Sequence, residues 1–139
     1  MNKLIVRLSK TDGQYQSVPL PEGRWPVEVT DVQYATRENE NGPYAYIMVA
    51  YRLNNGGGKF HGMRLSSFHI VEHSNQRTTE IATEQLSRIV TMSGVEFEDG
   101  DEVDLSDVVG KQLYVRTAWN EKFSRNDVRG WYADAGDAS

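Results

Sequence analysis

The sequence predicts an all-β fold: a five-stranded barrel with one α-helix between the third and fourth strands, plus an N-terminal extension. Three β-type runs come first, one amphipathic helix follows them, and two more β-type runs complete the chain. Turn signals recur at short intervals, as in sandwiches and barrels, and the lone helix favours the barrel. This order is that of the OB-fold, which commonly binds oligonucleotides or oligosaccharides on the face of strands 2 and 3 and in the 1–2 and 4–5 loops.

The first three strands follow from period-2 patterns and from turn residues. Trp25, Val27 and Val29 alternate with other residues, which is typical of a half-buried strand. Glycine-rich stretches mark hairpin tips, because glycine adopts positive φ without steric cost. The predicted elements are strand 1 at residues 24–32, a polar loop at 34–43, strand 2 at 44–53, a hairpin tip at 54–58 and strand 3 at 59–70, with Gly62 as a candidate bulge.

The second half of the chain begins with a helix, predicted over residues 78–93. Ala82, Leu86, Ile89 and Val90 follow helical spacing, and Gly94 stands where a C-terminal cap belongs. Strand 4 is predicted around residues 113–117, a loop at 119–127 and strand 5 at 128–133.

Length and composition predict one soluble domain. With 139 residues the chain is long enough to bury a core, and we assign the OB-fold domain to residues 21–133. Residues 1–20 are predicted to be an N-terminal extension, with a short added strand at residues 3–8. As an edge strand it would let two copies pair as a homodimer. A disordered acidic tail is predicted at residues 134–139.

Two absences in the sequence narrow the class of protein. Cysteine is absent, which excludes disulfides and thiolate metal sites and suits a reducing cytoplasm. The apolar stretch near the N-terminus, residues 4–6, is too short for a signal peptide or a membrane span. We therefore expect a cytoplasmic protein with no membrane partner.

The distribution of charge matters more than the net charge of −5. Residues 96–107 hold seven acidic residues and no basic one, and the tail adds Asp134 and Asp137. Outside these two stretches, 15 basic residues stand against 11 of the 20 acidic ones. The body of the protein is thus mildly basic, and the acidic stretch is either a solvated loop or a surface for a protein partner.

No catalytic, metal or cofactor site is predicted. His69 and His73 fall at the end of a strand and in the next loop, and a zinc site usually needs three or four ligands held compactly. The run Gly56-Gly57-Gly58-Lys59 lacks the spacing of a phosphate loop and joins two strands rather than a strand and a helix. We expect a protein that binds rather than an enzyme.

A binding function has more residues in its favour. Single-stranded nucleic acid is held by positive charge along its backbone and by aromatic rings that stack on its bases. An aromatic residue on a strand is more often packing, so Phe123, in a polar loop between Lys122 and Arg125, is favoured first, and Tyr46 second. The candidate nucleic-acid-binding residues are Arg37, Tyr44, Tyr46, Arg52, Lys59, Phe60, Arg64, Trp119, Lys122, Phe123, Arg125 and Trp131.

Five short motifs give the chain a resemblance to a known family. They are LPEGRWPVEVTDV at 20–32, GGKFHGMRL at 57–65, IVTMSG at 89–94, LSDVVGKQLYV at 105–115 and NDVRGWY at 126–132. In their order and spacing they resemble small phage and prophage proteins of the DUF669 type, which are thought to be OB-fold single-stranded-DNA-binding proteins. The resemblance covers about residues 20–133.

This resemblance implies single-stranded DNA binding without strong sequence preference, in phage or prophage DNA replication or recombination. It also implies replication or recombination proteins as partners, and the bacterial host cytoplasm as the compartment. The alternative is a non-catalytic phage accessory module that binds a protein partner through the acidic surface at residues 96–107. An enzyme on the same barrel is disfavoured, since no nucleophile or general-base constellation is present in the sequence.

Overall fold

The structure is a computed structural model that describes residues 18–136. Five antiparallel strands form one sheet in the order β3-β2-β1-β4-β5, and one α-helix lies between β3 and β4 along the chain. Within these residues, the predicted mostly β fold with one helix between the third and fourth strands is therefore confirmed. The elements are β1 (Trp25–Asn39), β2 (Gly42–Leu53), β3 (Arg64–Glu72), α1 (Gln76–Met92), a short 3-10 helix (Leu105–Val108), β4 (Gln112–Asn120) and β5 (Arg125–Tyr132).

The sheet is not closed into a barrel. β3 and β5 are its two edges, and no backbone ladder joins them within residues 18–136. Side chains connect the edges instead: the Tyr51 hydroxyl lies 2.8 Å from Ser67 Oγ of β3 and accepts a hydrogen bond from Trp131 Nε1 of β5 at 2.9 Å. The chain therefore forms a curled sheet, and we call the gap between its edge strands β3 and β5 the open seam.

The β1–β2 hairpin is much longer than the sequence predicts. The prediction of a polar loop at residues 34–43 is wrong, because β1 continues to Asn39 and pairs there with Gly42 across a two-residue turn. Most side chains between residues 33 and 44 are exposed or half-buried, so neither face of this arm carries the apolar alternation that marks a strand.

Two other predicted boundaries are corrected by the structure. β3 begins at Arg64 rather than at residue 59, and Gly62 lies in the preceding turn with φ 88°, while the bulge in the β2–β3 ladder falls at Val71. The loop predicted at 119–127 shrinks to residues 121–124, because β4 and β5 pair as far as Asn120 and Arg125.

Helix α1 covers the core side of the sheet. The Asn75 side chain caps its start by accepting from Arg77 N, and Gly94, with φ 90°, ends it. Gly94 N bonds Thr91 O and Val95 N bonds Val90 O, which is the Schellman arrangement. The helix buries Ala82, Leu86, Ile89 and Val90 against the valines, leucines and Tyr51 of the sheet.

The segment before β1 is attached to β5. The side chain of Asn126 accepts from Leu20 N and donates to Val18 O, both at 2.9 Å. The strand predicted at residues 3–8 and the last three residues of the tail lie outside the described residues. No helix in the described part of the chain is long and apolar enough to cross a membrane.

Candidate functional site

The outer face of β1, β2 and β3, opposite the core, forms a groove of about 500 Å³. β2 supplies its floor, since Val49, Tyr51 and Leu53 point into the core and the alternate residues point outward. We call this surface the aromatic groove; it is lined by Gln33, Ala35, Arg37, Tyr46, Met48, Ala50, Arg64, Leu65, Ser66, Phe68, Arg125 and Asn126.

A β-bulge in β1 directs the residues that this strand contributes. Val29 pairs with Tyr51 but Asp31 pairs with Ala50, so Thr30 is an extra residue and the alternation shifts by one. After the bulge, Gln33, Ala35 and Arg37 face the groove, whereas Val27 and Val29 before it are in the core. The bulge thus places an arginine beside the aromatic residues of β2.

Aromatic rings on neighbouring strands line the groove. The rings of Tyr46 and Phe68 meet edge to face with their centroids 5.6 Å apart, and Tyr44 lies 6.3 Å from Tyr46. The Arg37 guanidinium is 5.7 Å from the centre of the Tyr46 ring. Phe68 is 53% exposed, an unusual state for a phenylalanine on a strand. The rings offer flat surfaces to a ligand that can stack.

A basic tip between β4 and β5 borders the groove. The Phe123 ring is 56% exposed, with Lys122 Nζ at 5.3 Å and the Arg125 guanidinium at 4.8 Å from its centre. Arg125 also lines the groove, so the tip adjoins the groove. Ser124 adopts a positive φ of 49° in this turn.

The Asp127 carboxylate fixes the orientation of Arg125. It accepts from Arg125 Nε at 2.7 Å and from Asn120 Nδ2 at 3.0 Å. Burial raises the pKa of the Asp127 carboxyl, but hydrogen bonds from Asn120 and Arg125 and the charges of Arg125 and Arg129 outweigh burial, so the pKa lies below its ordinary value of 3.8. Asp127 is therefore ionised at neutral pH and holds the arginine at the groove rim.

A buried chain of hydrogen bonds lies behind the groove, on the core side. Ser67 Oγ is 2.7 Å from His69 Nε2, and His69 Nδ1 is 2.8 Å from Gln85 Oε1 of α1. Burial raises the pKa of Tyr51 to about 12 and lowers the pKa of His69 below 6.5. Both side chains are neutral at pH 7. The hydrogen bonds together join β2, β3, β5 and α1.

The structure brings part of the predicted site together. Arg37, Tyr46, Arg64 and Arg125 line the aromatic groove, and Tyr44 adjoins Tyr46. Other predicted residues lie around it or further away: Arg52 on the same face of β2 opposite Arg64, Lys122 and Phe123 at the β4–β5 tip, and Lys59 exposed in the loop after β2.

Three predicted aromatic residues do not belong to the groove. Phe60 is 7% exposed and packs edge to face on Trp25, so no ring face is left for a base. Trp131 is 5% exposed and its indole N–H is bound to Tyr51. Trp119 is half-buried and lies on the β4 face that carries Leu113 and Val115. All three residues thus lie outside the lining of the aromatic groove, and their role in binding stays a prediction.

Gln33, Met48 and Phe68 line the groove but were not among the predicted site residues. The signal that could have found Phe68 is its spacing from Arg64, because residues 64, 66, 68 and 70 share one face of β3. Among residues 18–136, no three histidine, aspartate or glutamate side chains lie close enough to hold a metal ion.

No model of a known protein family matches the sequence, and no curated protein is detectably similar to it. The resemblance to DUF669-type proteins therefore stays a prediction.

Proposed function

We propose that this protein binds single-stranded DNA with little sequence preference, in phage or prophage replication or recombination, and that the aromatic groove is its binding site. The observation that carries the proposal is the edge-to-face contact between the rings of Tyr46 and Phe68 on adjacent strands, in a groove whose lining includes Arg37, Arg64 and Arg125. Stacking rings and phosphate-binding cations are the two components of sequence-tolerant single-strand binding.

The strand arrangement supports an OB-fold. In the described structure β1 pairs with both β2 and β4, and one helix lies between β3 and β4. The OB-fold is a five-stranded, partly open barrel that binds oligonucleotides on its strand 2–3 face and with its 1–2 and 4–5 loops. In this chain the aromatic groove lies on the face of β1, β2 and β3, and Phe123 lies in the turn between β4 and β5.

The acidic segment does not oppose this proposal. None of residues 96–107 lines the aromatic groove; Phe97, Asp101, Val103 and Leu105 border clefts with helix α1 instead. The charged side chains that line the groove are Arg37, Arg64 and Arg125, so the lining carries no negative charge.

Removing the groove rings tests the proposal. We expect Tyr46→Ala and Phe68→Ala each to weaken binding of a labelled oligo-dT by about 5- to 150-fold, because a stacked base contributes about 1–3 kcal/mol. Fluorescence anisotropy at low salt measures the dissociation constants.

Tyr34→Ala is the matched control. Tyr34 is an exposed tyrosine on the same hairpin, but it pairs with Ile47 and lies on the other face of β1 from Gln33 and Ala35, where its hydroxyl bonds Glu72. Its removal should leave the dissociation constant unchanged. If all three variants bind alike, the groove is not the binding surface.

A further inference from the structure

A second cleft, of about 460 Å³, lies at the open seam between β3 and β5. Its lining is rich in polar groups, including the Ser66 hydroxyl, the amides of Gln85 and Asn120, and the charged side chains of Arg125, Asp127 and Arg129. We call it the seam cleft. It differs in character from the aromatic groove, whose lining includes Ala35, Tyr46, Met48, Ala50 and Phe68.

The seam cleft and the aromatic groove adjoin. Ser66, Phe68 and Arg125 line both of them, so the exposed Phe68 ring stands on their common border. A chain-like ligand that lies on the groove therefore reaches the seam by crossing these three residues alone.

A β-bulge in β5 puts a second arginine on the rim of the seam. Arg116 pairs with Gly130 and Thr117 pairs with Val128, which leaves Arg129 as the extra residue. Its guanidinium is 3.5 Å from Asp127 Oδ2, on the carboxylate that also holds Arg125. The side chain of Arg129 is 62% exposed, and two guanidiniums share one carboxylate, so the rim keeps a net positive charge.

We propose that single-stranded DNA leaves the sheet face at Phe68 and continues along the seam, with its phosphates at Arg125 and Arg129 and an unstacked base in the polar cleft. The inference rests on the proposed function and extends its site beyond the groove. The groove offers stacking surfaces, whereas the lining of the seam cleft includes the Ser66 hydroxyl and the Gln85 amide, which are groups of the kind that hydrogen-bond the edge of a base.

Replacing Arg129 tests this path through the salt dependence of binding. The ligands are oligo-dT of increasing length, from about 4 to 16 nucleotides. For the longer ones, Arg129→Gln should make the fall of log K with log salt shallower by about 0.7, the value for one phosphate contact on a single strand. Oligonucleotides short enough to occupy the groove alone should bind this variant as they bind the unmodified protein.

Two variants make the result specific to a phosphate contact. Arg129→Lys should restore the slope, because lysine also binds phosphate as a point charge. Arg77→Gln should change nothing, since Arg77 lies on the helix surface near Glu80 and Glu84 and lines neither the groove nor the seam cleft.

The inference and the proposed function fail in different ways. If Arg129→Gln matches Arg77→Gln at every length while Tyr46→Ala still weakens binding, the seam path is wrong and the groove stands. If the unmodified protein binds no oligo-dT at low salt, both are wrong.

Discussion

His69 occupies a buried position in which each hydrogen-bonding atom has one role. Gln85 Oε1 can only accept, so His69 Nδ1 carries the proton and Nε2 accepts from Ser67. The Trp131 indole can only donate, so Tyr51 accepts from Trp131 and donates to Ser67. A proton on Nε2 would remove the atom that accepts from the Ser67 hydroxyl. This set of hydrogen bonds therefore requires neutral His69.

This requirement predicts an acid-sensitive fold. Burial lowers the pKa of His69 below 6.5, more than the hydrogen bond to Gln85 raises it. Below that pH the unfolded chain takes up a proton that the folded chain resists, so the free energy of unfolding should fall as the pH decreases from about 6.5 towards the pKa in the fold. Urea unfolding at a series of pH values measures the decline.

Two histidine variants isolate the effect. His69→Gln should be less stable at pH 7 and should lack this part of the decline. His73→Gln, which changes a half-buried histidine just after β3 whose Nδ1 accepts from Asn75 N, should retain it. A decline of equal size in all three proteins would show that His69 is not its source.

Residue types alone could identify only part of the site. Arg37, Tyr46, Arg64 and Arg125 were predictable because alternation assigns a face once a strand is placed. The burial of Phe60 and Trp131 was not predictable, since an aromatic residue near a strand end looks the same in sequence whether it is buried or faces solvent. Phe60 packs on Trp25, and Trp131 bonds Tyr51. Burial depends on which strands curl over the core, and that is a tertiary property.

The end of helix α1 shows how one glycine fixes an element. Gly94 has φ 90°, a region that costs a residue with a Cβ about 1–2 kcal/mol. No neighbouring atom lies within 4 Å of the position a Cβ would take, so the cost of a substitution is conformational rather than steric.

We expect Gly94→Ala to lower the free energy of unfolding by about 1 kcal/mol. Gly94→Asn should cost less, because asparagine tolerates the left-handed region better. Denaturant midpoints at unchanged slope measure both variants. An alanine variant as stable as the asparagine variant would indicate that the helix ends without the left-handed residue.

At the scale of elements, the sequence was informative where one face is buried. The helix and the core halves of β1 and β2 carry clear periodicities, and their predicted positions match the structure to within about two residues, the ordinary uncertainty of element ends. The outer half of the β1–β2 hairpin has no core face, so its sequence lacks the periodic signal of a strand and predicts a loop. The bulges at Thr30 and Arg129 likewise leave no mark that sequence reading detects.

Across the whole molecule, the acidic residues of the segment 96–107 lie apart from the candidate site. The net charge of −5 belongs largely to residues 96–107, which line clefts with α1, while arginines line the groove and the seam. The seam cleft at the open edge between β3 and β5 adjoins the aromatic groove. A protein that is acidic overall can thus present a locally basic path to a polyanion.

Anisotropy titrations of the unmodified protein with labelled oligo-dT across a salt series, with a duplex of equal length as the control, decide whether this protein binds single-stranded DNA. We expect binding of oligo-dT at low salt, weaker binding of the duplex, and a linear fall of log K with log salt of about 0.7 for each phosphate contacted. No binding at low salt, or an affinity that does not change with salt, would contradict this expectation.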